Sequence, residues 1–89
     1  MTLGEEPYIS IGSVKGTSST GFTIYDVTYY DFEEEDWIEC DDENIILNDA
    51  TLITKNGNFA RNSEIAKDQE CIVIRANKTD TARVILLTE

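Results

Sequence analysis

From Tyr8 onward the chain is written in short alternations of apolar and polar residues, the period-two pattern of β-strands. "YISIGSVK" (Tyr8–Lys15) sets Ile9 and Ile11 against Tyr8 and Ser10 until Gly12 breaks the phase, which predicts a bent or bulged first strand. "FTIYDVTYY" (Phe22–Tyr30) is dense in aromatic and β-branched residues. Phe22 and Ile24 share a face, but Val27 comes three positions after Ile24 and falls on the other, so a bulge or strong coiling is predicted within this strand. "DWIEC" (Asp36–Cys40) reads as a short strand inside an acidic connection, and "ENIILNDATLIT" (Glu43–Thr54) as two strands split at Asn48-Asp49. "ECIVIRA" (Glu70–Ala76) and "TARVILLTE" (Thr81–Glu89) read as a final antiparallel pair.

Turn chemistry punctuates these runs. "GTSSTG" (Gly16–Gly21) is a turn by composition, its glycines expected to supply the positive φ angles of a hairpin, "KNGN" (Lys55–Asn58) is a strong turn, and "NKTD" (Asn77–Asp80) is the turn between the last two strands. One segment, "ARNSEIAKD" (Ala60–Asp68), reads as helical for about two turns, capped by Asn62 or Ser63, with Ile65 as its large apolar residue. The sum is an all-β chain: five or six antiparallel strands in a small barrel, with one short helix before the last two strands. Closure into a barrel would remove the exposed edges that a sheet of this size otherwise leaves. Residues 1–7 read as a disordered lead-in and 8–89 as a single domain; a chain of 89 residues builds one core.

Charge alters this picture mainly in what it excludes. Seven basic residues against eighteen acidic ones give a formal net charge of −11, and no basic residue occurs between Lys15 and Lys55. Direct nucleic-acid binding needs a cationic footprint, and adsorption to an anionic membrane needs the same. Neither is expected. No apolar run is long enough for a membrane span, and "MTLGEEPY" lacks the basic and apolar regions of a signal peptide, so the chain as written reads as cytoplasmic and monomeric. An origin as a domain cut from a larger extracellular or envelope protein would reverse that localisation.

The order "IGSVKGTSSTGFTI", "NDATLITKNG", "SEIAKDQECIVIRA", "TARVILLTE" resembles the small OB-fold-like (oligonucleotide/oligosaccharide-binding) barrels found as domains in bacterial envelope and secreted proteins. The likeness spans about Ile9 to Thr88; Asp68-Gln69 stands where that pattern prefers Gly-Asp, and the acidic insert Asp31–Glu43 is peculiar to this chain. The resemblance implies an OB-like barrel and a non-catalytic module that binds a partner or polymer. It implies no particular ligand.

Candidate chemistry concentrates in "DFEEEDWIECDDEN" (Asp31–Asn44), with nine carboxylates around the single tryptophan. The residues expected to meet a partner are Trp37, Tyr29, Tyr30, Glu33, Glu35 and Asp36, with a protein or a neutral carbohydrate as that partner. An alternative is an acidic decoy that imitates a nucleic acid toward a basic protein. Calcium fits poorly: an EF-hand count from Asp31 places Glu33, Glu35 and Asp42 on schedule, but Asp36 sits where glycine must make the turn, leaving an irregular set of Asp36, Asp41, Asp42 and Glu43. No metal or other cofactor is expected. The chain has no histidine, and Cys40 lies among Glu39, Asp41 and Asp42, whose charges disfavour a thiolate, so catalysis is not expected. Cys40 and Cys71 permit one disulfide, with two reduced thiols as the default, and "NKT" (Asn77–Thr79) fits a glycosylation sequon.

Overall fold

A computed structural model describes residues 7–76 and 81–88. Residues 1–6 of the expected 1–7 lead-in and the Asn77–Asp80 turn with its sequon lie outside the described residues. Eight strands follow in order: β1 (Tyr8–Thr17), β2 (Gly21–Asp31), β3 (Asp36–Cys40), β4 (Glu43–Ile46), β5 (Leu52–Lys55), β6 (Asn58–Phe59), β7 (Glu70–Arg75) and β8 (Ala82–Leu87). They form one sheet in the order β3-β2-β1-β7-β8-β5-β6, with β4 pairing β2 beside β3.

The protein is all-β, as its alternation predicts, but four parts of the expected architecture are corrected. The sheet curls over a core without closing into a barrel: β3 with β4 borders one side and the two-residue β6 the other. It has more strands than five or six. It is also mixed, because β5 runs parallel to β8 (Leu52↔Val84 to Lys55↔Leu87), a non-local pairing that short-range patterning does not encode. No α-helix occurs among the described residues; the predicted helix shrinks to a 3-10 turn, Asn62–Glu64, where the Glu64 carboxylate accepts from the Arg61 N–H at 2.9 Å. Ile65 still serves as an apolar plug, 6% exposed against the core.

Bulges let this sheet curl. Between β1 and β2 the register slips twice, and at the first slip Asp26 takes φ 54°. That extra residue returns Val27 to the face of Ile24, so both are buried in one core, as the three-residue spacing predicts. Asn56 and Gly57, both with positive φ, make the tight two-residue turn between β5 and β6 that "KNGN" announces. The glycines of "GTSSTG" act differently from expectation: neither has positive φ. Gly21 is required by close approach, since a Cβ there would lie 1.9 Å from the Ile45 carbonyl oxygen of β4.

The inner face buries Val14, Phe22, Ile24, Val27, Ile45, Ile53, Cys71, Val73, Ile85 and Leu87. At the start of β1 the usual preference is reversed: Ser10 is fully buried, whereas Ile9 and Ile11 lie on the partly exposed outer face. The reason is what Ser10 meets there.

Candidate functional site

At one end of the inner face, three strands bring polar side chains together under the sheet. Tyr8 and Ser10 come from β1, Glu43 from the start of β4, and Arg75 from the end of β7, directly opposite Tyr8. Arg75 is 1% exposed and Glu43 5%. Glu43 Oε1 accepts from Arg75 Nη2 at 2.5 Å and from the Ser10 hydroxyl at 3.0 Å, while Oε2 accepts from the Tyr8 hydroxyl at 2.8 Å and from the Cys40 thiol of β3 at 3.7 Å. The Arg75 guanidinium also lies 4.9 Å from the centre of the Tyr8 ring, which stacks on Tyr29 at 5.2 Å. Burial alone would push the Glu43 carboxyl up, but the Tyr8 hydroxyl, the Arg75 charge and the Ser10 hydroxyl together hold it below the usual carboxylate range. Burial and the Glu43 carboxylate in turn push the Tyr8 phenol well above its ordinary value. A general acid needs the opposite shift; this carboxylate stays ionised and consumed by internal donors, which makes it a clamp between β1, β4 and β7.

Local patterning does not single these residues out. In the sequence Glu43 stands among the loop carboxylates, and Arg75 among the balanced charges of the second half. A signal is nonetheless present: Cys71, Val73 and Arg75 alternate on one face of β7, and Glu43 stands two residues from buried Ile45 on β4. Once Cys71 and Ile45 are known to face inward, period two carries both charges inside with them, where each must find the other.

The six predicted site residues are divided by the sheet. Tyr30 and Trp37 are register partners on the outer face, their rings edge to face at 5.2 Å, and Phe32 meets Tyr30 in the same manner at 4.9 Å. Trp37 is 44% exposed, so this aromatic cluster is reachable from solvent. Tyr29, one residue along the strand, points to the inner side and stacks on Tyr8, away from Tyr30 and Trp37. Glu33 and Glu35 are exposed on the four-residue connection between β2 and β3, and Asp36 is exposed at the start of β3. Asp31 shapes that connection, its Oδ1 accepting from the N–H of Glu33 at 2.9 Å and of Glu34 at 3.3 Å, and Glu35 closes it with φ 55°. Asp36 Oδ1 accepts from the Trp37 N–H at 2.8 Å.

Of the irregular calcium set, Glu43 is committed to the clamp, Asp42 pairs with Lys15 at 3.0 Å, and Asp36 bonds backbone. Among the described residues, no three acidic or sulfur side chains converge as a metal site. Cys40 on β3 and Cys71 on β7 are not joined by a disulfide. A hollow at the end of the sheet, lined by Thr17, Ser18, Gly21, Phe22, Leu47, Ser63 and Ile65, contains no titratable side chain. Compared with protein-family models, curated proteins and solved structures, the chain matches none.

Proposed function

We propose that this chain is a non-catalytic protein-binding module, of the kind that larger bacterial envelope or secreted proteins carry, and that the Trp37 end of its sheet meets the partner. The observation that carries the reading is the Tyr30–Phe32–Trp37 cluster: three interlocked rings at an exposed edge, beside carboxylates rather than cations. Tryptophan and tyrosine anchor protein interfaces because they bury much surface with few rotatable bonds. The polar groups that could have served chemistry are turned on one another inside. Selection of a displayed random-peptide library on the protein tests the proposal. Enrichment of sequences that combine apolar residues with lysine or arginine, lost on the Trp37→Ala variant, is the expected result. Retention on a glycan array with no peptide enrichment would replace the protein partner with a carbohydrate.

The exposed carboxylates favour a second reading. Glu33, Glu34, Glu35, Asp36, Glu39, Asp41 and Asp42 all face solvent along the edge formed by β3 and its flanks, a presentation suited to a basic groove. A decoy of this kind, with Trp37 as its central anchor, would bind a basic nucleic-acid-binding protein with an affinity that collapses as salt rises.

A further inference from the structure

β7 and β8 are apolar on both faces, Cys71 to Ile74 and Val84 to Leu87. Such runs belong to strands covered from both sides. Here the core covers the inner side, and among the described residues no element lies over the outer one. Register pairs assemble that side into two rows across the strands. One runs Glu39, Thr28, Ile11, Ile72, Leu86, Thr54, Phe59; the other aligns Ile9, Ile74, Val84 and Leu52, with Tyr30 and Trp37 at its β2–β3 end. All are partly or fully exposed, Leu52 at 42% and Phe59 at 81%.

With strands about 4.8 Å apart, six spacings make the first row roughly 29 Å long and five make the second roughly 24 Å, measured along the curled sheet, and the apolar strip covers on the order of 300–400 Å². A strip of this size matches the largest apolar patch of a typical monomer, and such patches often bind partners. Its surroundings are acidic: Glu39 ends one row, Glu70 stands two residues beyond Ile72 on the same face, and the β2–β3 turn adds Glu33, Glu35 and Asp36, while Arg83 lies beside Ile74 at the other end. A second copy of the chain is a poor occupant, because it would bring another net charge of −11 against these carboxylates. Between its aromatic ends at Trp37 and Phe59 the strip is branched aliphatic, and that middle part offers a sugar no ring to stack on.

We infer that the outer face of β1, β7 and β8 docks an amphipathic, lysine- or arginine-flanked segment of a partner protein. This inference rests on the protein-binding reading and extends its surface from the Trp37 cluster across the sheet. The strip buries the segment's apolar side and the acidic rim pairs its cations.

The probe is a synthetic leucine/lysine amphipathic helix of about 18 residues, roughly 27 Å long, with a leucine/glutamate peptide as control. Binding is followed by fluorescence anisotropy and mapped by amide chemical shifts. Saturable binding that perturbs Ile9, Ile11, Ile72, Ile74, Val84 and Leu86 is expected, weakened at least tenfold by Ile72→Lys and by the surface pair Glu39→Lys/Glu70→Lys, and absent for the control peptide. Perturbations confined to residues 31–42, with Ile72→Lys and the Glu39→Lys/Glu70→Lys pair binding as wild type, would overturn the inference while leaving the Trp37 reading standing. Absence of saturable binding would overturn both. Sedimentation showing a dimer that Glu39→Lys/Glu70→Lys tightens would overturn it in favour of a second copy.

Discussion

Replacing Glu43 with glutamine leaves the side chain's shape intact but removes its charge and puts an amide donor on one of its two sides, facing either Arg75 and Ser10 or Tyr8. Arg75, 1% exposed, then keeps its charge in the interior without the carboxylate that balances it. Breaking one side of a buried ion pair costs about 3–5 kcal/mol, against a total stability of about 4–13 kcal/mol for a chain of 89 residues. Urea unfolding followed by circular dichroism should therefore show Glu43→Gln less stable by about 3–5 kcal/mol, with a melting temperature lower by more than about 10 °C. The double variant Glu43→Gln/Arg75→Met removes the stranded charge and is expected to recover to within about 2 kcal/mol of wild type. The pH dependence carries the same logic. Because the folded Glu43 carboxyl sits below its unfolded value, its contribution is complete above about pH 4.3 and is lost as pH falls through the folded value. Wild type should thus lose stability below about pH 4.3 by a component that Glu43→Gln lacks. A cost below about 1 kcal/mol for Glu43→Gln, or a double variant as unstable as the sum of its singles, would refute the clamp.

Two further outcomes follow from local geometry. Gly21→Ala places a methyl 1.9 Å from the Ile45 carbonyl oxygen and must push β4 off β2, so it should destabilise by about 2–4 kcal/mol and raise hydrogen exchange at Leu47, whereas Gly16→Ala, with open space around it, should change the melting temperature little. Burial pushes the Cys71 thiol up to about 12, so N-ethylmaleimide at pH 8 should label the half-buried Cys40 in the native protein and reach Cys71 only in urea; equal labelling rates would contradict the core position of Cys71.

Features carried by a few neighbouring residues are legible in the amino-acid order alone. The three-residue gap between Ile24 and Val27 announces the Asp26 bulge, "KNGN" its turn, "DWIEC" a short strand, and Asn48-Asp49 the break between β4 and β5, while the hairpin that "KNGN" makes with β6 is not foreseen. Each depends on backbone sterics or side-chain parity within about five residues. The two-turn helix expected over "ARNSEIAKD" does not form, because a single apolar residue, Ile65, anchors that segment and the chain gains more by turning back toward β7. The candidate site is legible in part: Trp37, Tyr30 and the exposed carboxylates stand together, while Tyr29 falls to the opposite face.

Sequence by itself therefore determined that this protein is built of strands, where most of them turn, and that its charge gathers around one tryptophan. The tertiary structure decided which face is inside. In β7 and β8 both faces are apolar, so parity leaves the choice open, and in β1 the isoleucines face outward because inward-pointing Ser10 joins the Glu43–Arg75 clamp. The clamp links residues 10, 43 and 75, and the parallel pairing of β5 with β8 joins segments about thirty residues apart. Contacts at such separations are fixed by how bulged strands curl in three dimensions, and no local pattern of side chains encodes them.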